Sequence, residues 1–151
     1  MLRLSKKTLL ALEAVVDVAI NARPDPVQSK DITARQGIPQ RYLEQVLQQM
    51  VHAGILKGVR GPRGGYRLAK ERRRLTVGEI VRVVSALEGN GDGKDTPVTS
   101  AMGTKVIKPL WDELLDDIMH RLDQMTIEDL CDRAVQSGVE RERRKTLDFT
   151  I

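Results

Sequence analysis

The side chains with usable chemistry fall into a few short groups. Gln40, Arg41, Tyr42 and Glu44 follow a glycine-marked turn at Gly37. Arginine can donate two hydrogen bonds to guanine, glutamine can pair with adenine, and glutamate can accept from cytosine N4. A carboxylate at such a position also repels phosphate. Glu44 is therefore either a discriminator against wrong sequences or an ordinary solvated helix residue. A second group is the loop Arg60-Gly61-Pro62-Arg63-Gly64-Gly65-Tyr66. Its guanidinium groups, Arg60 and Arg63, suit a narrow A·T-rich minor groove. Gly61, Gly64 and Gly65 allow close backbone approach to a surface, and they would make the turn in any case. Lys6, Lys7, Ser29 and Lys30 are candidates for phosphate contacts, Ser29 and Lys30 because they open a helix whose amides can hold an anion. Cys131, His120 and His52 are the candidate metal or redox side chains. No nucleophile–base pair, phosphate-binding motif or metal-ligand spacing is present, so an enzyme is not expected.

These groups need elements to hold them. Thr8 to Asn21 reads as a helix that is apolar around much of its surface. Ser29 is placed at the N-cap of a short helix over 30–36, closed by Gly37. Pro39 is placed at the first turn of the next helix, which runs to about Ala53. Its buried stripe is Leu43, Val46, Leu47 and Met50. A short helix, a glycine turn and an amphipathic helix make a helix-turn-helix. The apolar runs flanking the basic loop make it the tip of a β-hairpin, or wing.

Thr76-Val77-Gly78-Glu79 is a capping box that opens a helix to about Leu87. A polar loop covers 88–104. A long helix from Lys105 to Gln124 follows, with Ile107, Leu110, Trp111, Leu114, Leu115, Ile118 and Leu122 on a wide apolar stripe. That stripe exceeds what a small winged helix can cover, so a second copy of the chain is the expected partner. A last helix starts at Thr126 and ends at Gly138, and 139–151 reads as a flexible tail. The fold class is mainly α: a winged helix-turn-helix DNA-binding domain over 1–87, then a dimerisation unit over 105–138.

Composition agrees. Net charge is +4 over 151 residues, but it is unevenly spread. Residues 1–74 hold 15 Lys/Arg against 6 Asp/Glu, and residues 75–151 hold 10 against 15. One half suits a polyanion such as double-stranded DNA, although charge alone would also fit RNA or an anionic membrane surface. No apolar run approaches a membrane span and no signal segment is evident, so a cytoplasmic location and no membrane partner are expected. The lone Cys131 excludes an internal disulfide framework.

Several stretches together resemble the Rrf2 family of bacterial winged-helix transcription regulators. They are Gly37-Ile38, Tyr42-Leu43-Glu44-Gln45, Gly54-Ile55-Leu56, Val59-Arg60-Gly61-Pro62, Gly64-Gly65-Tyr66 and Thr76-Val77-Gly78-Glu79-Ile80. The resemblance covers about residues 1–138. It implies a homodimer on an imperfect palindrome, regulating iron–sulfur, iron or redox/sulfur homeostasis, often as a repressor. It further implies major-groove contacts from Gln40, Arg41, Tyr42 and Glu44, a minor-groove contact from Arg60, and Trp111 near the start of the dimer helix. Cluster-binding members carry three cysteines before that helix; the loop 88–104 has none, and Lys105 and Lys108 fall where ligands would be expected. Lysine ammonium repels a metal ion, so the usual [2Fe–2S] site is not expected. Cys131 and His120 leave atypical cluster ligation, thiol sensing and plain packing as alternatives. The competing reading of the whole chain is a protein-interaction module on a winged-helix platform.

Overall fold

The computed structural model describes residues 5–89 and 99–139. The tail expected over 139–151 lies outside them from residue 140 on, and so does the middle of the expected loop, 90–98.

Helix α1 spans Lys6–Asn21 and is the central rod of the core. Ser5 starts it: its hydroxyl accepts the Thr8 amide at 3.2 Å, so the helix begins two residues earlier than the apolar pattern indicates. Ala11, Ala14, Val15 and Val18 are buried along it. Asp17 is also buried, which an unpaired carboxylate would not tolerate. Arg35 answers it with two bonds, Nε to Oδ2 at 2.9 Å and Nη2 to Oδ1 at 2.7 Å. Gln36 Nε2 adds a third at 2.9 Å. This fork ties α1 to the next helix.

That helix, α2, spans Ser29–Gln36. Gln28 occupies the N-cap, and Ser29 is the first helical residue instead of the cap. Gly37 ends the helix at φ 68°, and its amide bonds the Thr33 carbonyl at 2.9 Å. Helix α3 spans Gln40–His52, with Pro39 at its N-cap, one place before its expected position. Leu43, Val46, Leu47 and Met50 are all buried, as their spacing requires. Gly54, at φ 77°, turns the chain into the hairpin.

Strands β1 (Leu56–Val59) and β2 (Gly65–Leu68) pair antiparallel, with Leu56 opposite Leu68 and Val59 opposite Gly65. Val27, just before α2, adds a bridge to Tyr66 through bonds of 3.0 and 2.7 Å. The wing is therefore rooted in the helix-turn-helix.

Helix α4 spans Val77–Gly89, two residues past the expected Leu87, and Thr76 Oγ1 accepts the Glu79 amide at 3.2 Å. A π-helical turn, Gly103–Ile107, leads into helix α5, Lys108–Asp123. The wider π turn takes the first residues of the helix expected from Lys105. Helix α6, Ile127–Gln136, is opened by a capping box of Thr126 and Asp129, with bonds of 3.1 and 3.0 Å. The chain segments before α4 and α6 lie antiparallel. Val77 donates to the Met125 carbonyl and Ile127 to the Leu75 carbonyl, each at 2.8 Å. Ile127 and Cys131 then enter the same core cluster as α1 and α4.

Candidate nucleic-acid interface

Burial of one side of α3 turns the other side outward. Gln40, Arg41, Glu44, Gln45 and Gln48 are exposed. Gln40, Glu44 and Gln48 follow one another at helical spacing, so they share a face. Tyr42 does not join them. It is half-buried at the edge of the apolar stripe and packs against the core. Burial first, and then the negative charge of Glu88 at the end of α4, push its phenol above the usual range.

Glu44 is held from two sides. Its Oε1 accepts from Ser29 Oγ at 3.4 Å and from Gln40 Nε2 at 3.3 Å. Tyr66 lies close enough that its phenol is raised, by burial first and by the Glu44 charge second. The start of α2 and the outer face of α3 therefore converge on one carboxylate, whose charge reaches Tyr66 at the base of the wing. Lys30 is exposed beside Ser29; Lys6 is exposed and Lys7 half-buried at the start of α1.

The wing tip presents Arg60 and Arg63 to solvent. Its glycines differ in what they do. Gly61 has φ 113° with open space where a side chain would stand, so it supplies the turn and leaves the tip thin. Gly64 donates to the Gly61 carbonyl at 2.9 Å, and a Cβ there would lie 2.3 Å from the Val59 carbonyl oxygen. A Cβ on Gly65 would lie 2.4 Å from the Val27 carbonyl oxygen. The last two glycines thus serve the protein's own backbone, whatever else approaches the loop. Arg67 is a residue that the sequence reading passed over. Its guanidinium bonds the Ala22 carbonyl at 3.3 Å and the Pro24 carbonyl, closing the end of α1 against the wing.

Along α5 and the turn before it, Ile107, Leu110, Trp111, Leu114 and Ile118 are each about half exposed, from 45% to 54%. Leu115 and Leu122 differ: they are half-buried, and Leu122 packs against the core. The expected stripe is therefore mostly outward, with Leu122 turned in at its end.

Residues 4–133 match the Rrf2 family model, described as an iron-dependent transcriptional regulator. The chain belongs to the Rrf2 family. It is 35% identical over 137 residues to the HTH-type transcriptional regulator IscR of Escherichia coli O1:K1, covering 85% of this chain and 80% of that protein. Among solved structures it is similar to T. potens IscR, at 31% identity and TM-score 0.72, covering 98% of this chain and 97% of the other. It is also similar to CymR, the global cysteine regulator of B. subtilis, at 30% identity and TM-score 0.70, covering 88% and 98%. As Rrf2 proteins these are transcription regulators, not enzymes, and the winged helix is their shared fold.

This Rrf2 chain does not fit the family's three-cysteine [2Fe–2S] cluster. Such a cluster takes four donors. Cys131, the chain's single cysteine, is 3% exposed and packed in the aliphatic core. Burial pushes its thiol pKa up, against the partial pull of Arg72. His120 stands exposed on α5, 3.1 Å from the Gln124 side-chain amide, and His52 is exposed at the end of α3. Among the described residues, no group of three His, Cys, Asp or Glu side chains could hold a metal ion.

Proposed function

We propose that this Rrf2 chain binds a palindromic operator as a homodimer and represses genes of iron–sulfur or sulfur homeostasis, acting among the soluble proteins of the cytoplasm. The observation that carries the reading is the exposed polar face of α3, tied to α2 through Glu44, together with a solvent-facing arginine wing. Gln40, Arg41 and Glu44 are the proposed base readers in the major groove, with Tyr42 at their edge. Arg60, and with it Arg63, takes the minor groove. Lys6, Lys7, Ser29 and Lys30 meet the backbone, where Ser29 and Lys30 sit at the N-terminal end of α2. The half-exposed stripe Ile107, Leu110, Trp111, Leu114 and Ile118 supports a two-fold interface, which matches a palindrome with protein symmetry. Among the described residues no helix is long and apolar enough to cross a membrane.

The test is a binding titration on duplexes selected from a randomised pool, repeated across salt concentrations. Specific binding should weaken steeply as salt rises, with a slope set by the phosphates contacted. Equal binding to selected and random duplexes, or no salt dependence, favours the interaction-module reading instead.

A further inference from the structure

We infer that Ser29 is a positioning residue for Glu44: its hydroxyl anchors the carboxylate on the outer face of α3 and so sets base preference from a different helix. The inference rests on the DNA-reading function proposed above and assigns Ser29 a role beyond a phosphate contact.

Ser29 would normally be spent as a helix cap. Here Gln28 takes the N-cap position, and the Ser29 hydroxyl donates across to Glu44 Oε1 at 3.4 Å. The same oxygen accepts from Gln40 Nε2 at 3.3 Å, one turn earlier on α3. A glutamate on an exposed helix face ordinarily samples many rotamers, and fixing it costs side-chain entropy. Two donors on one oxygen, with the N-terminal end of α2 beside it, bias the carboxylate toward a single place. The arrangement also orients Gln40. Its NH₂ group points at Glu44, which leaves the amide oxygen and the second N–H available for the two-bond contact that adenine requires. Removing Ser29 would leave Glu44 with Gln40 alone, and both side chains would lose their common anchor.

A phosphate-contact role and a positioning role predict different results. Duplexes are first selected from a randomised pool with the wild-type protein. Ser29→Ala, Ser29→Thr, Glu44→Ala and the Ser29→Ala/Glu44→Ala pair are then titrated on selected and single-base-changed duplexes. Thermal unfolding of each variant checks the fold. Ser29→Ala should lower discrimination at the base pairs that Glu44→Ala also relaxes, by about threefold, in keeping with one solvent-accessible hydrogen bond. Ser29→Thr, which keeps the hydroxyl, should restore it. The double variant should discriminate no worse than Glu44→Ala alone. Any uniform loss of affinity from the backbone contact proposed for Ser29 cancels in the ratio between selected and base-changed duplexes, so that ratio is the readout. A uniform loss on every duplex with base preference unchanged would leave Ser29 a phosphate contact alone and overturn the inference, as would unchanged preference and affinity in a folded Ser29→Ala protein. Failure of the wild-type protein to select any duplex would instead count against the DNA-reading function itself.

Discussion

At the scale of single residues, Asp17 shows how a core can demand a partner that is distant in sequence. It stands among alanines and valines on α1, and its carboxylate meets Arg35 and Gln36 from α2. A lone acid on an otherwise apolar face is a legible signal that something must answer it. The sequence does not say which of many basic residues does so, because that depends on how α2 crosses α1. Asp17→Ala should destabilise the fold by about 3 kcal/mol, since it breaks the largely buried two-bond ion pair that ties α1 to α2. Urea unfolding measures this. A loss below about 1 kcal/mol, the range of surface pairs, would mean that the fork is solvated in solution. Tyr42 teaches the opposite lesson. It sits between Arg41 and Leu43 and could belong to either face; only the packing against the core decides.

At the scale of elements, the helices were readable wherever period and punctuation agreed. Leu43, Val46, Leu47 and Met50 marked the inner face of α3, and Gly37 and Gly54 marked its surroundings. Cap positions slipped by a residue. Pro39 has a backbone angle suited to either place, and Ser29, one position inside α2, directs its hydroxyl to Glu44 on α3. The stripe of α5 was visible, but its division was not, because Leu122 turns inward only once the core formed by the other helices is in position. The wing separates two glycine roles that one loop sequence merges. Gly65→Ala should push β2 from Val27 and weaken binding to all duplexes by misplacing the whole wing. Arg60→Ala should leave the hairpin intact and weaken binding most, about tenfold, on sites with narrow A·T-rich minor grooves. Affinities on A·T-rich and G·C-rich flanks distinguish them. An equal loss on both for Arg60→Ala would reduce that side chain to a phosphate contact.

At the scale of the whole molecule, the helix proposed to carry the dimer contact is tied to the core that carries the proposed DNA-reading face. Gly78 on α4 has no room for a side chain because Asp123, at the end of α5, lies against it. Asp123 also accepts from both terminal nitrogens of Arg82, Nη1 and Nη2, at 2.5 Å, and this pairing holds its carboxyl below the usual range. The orientation of α5 is thereby fixed to the helix that packs on α1. Ile118→Asp places a charge in the outward stripe without touching that clamp. Sedimentation should show monomers of unchanged helicity, and affinity for a two-half-site duplex should fall by about a hundredfold or more, as the linked second contact is lost. Persistence of the dimer would move the interface away from α5.

The return of α6 to the core has a consequence for how the molecule can be divided. Ile127 and Cys131 pack into the shared core, where α6 lies against α1, and the Leu75–Met125 crossing is stitched by backbone bonds on both sides. A boundary near residue 104 therefore divides one continuous core instead of separating two. Residues 1–104 made alone should expose the cavity that Ile127 leaves and bind a hydrophobic dye, whereas a cooperative, dye-free fragment would show the first part to be self-sufficient. Grafting this wing and helix pair onto another dimerisation unit would therefore require carrying the final helix along as part of the graft.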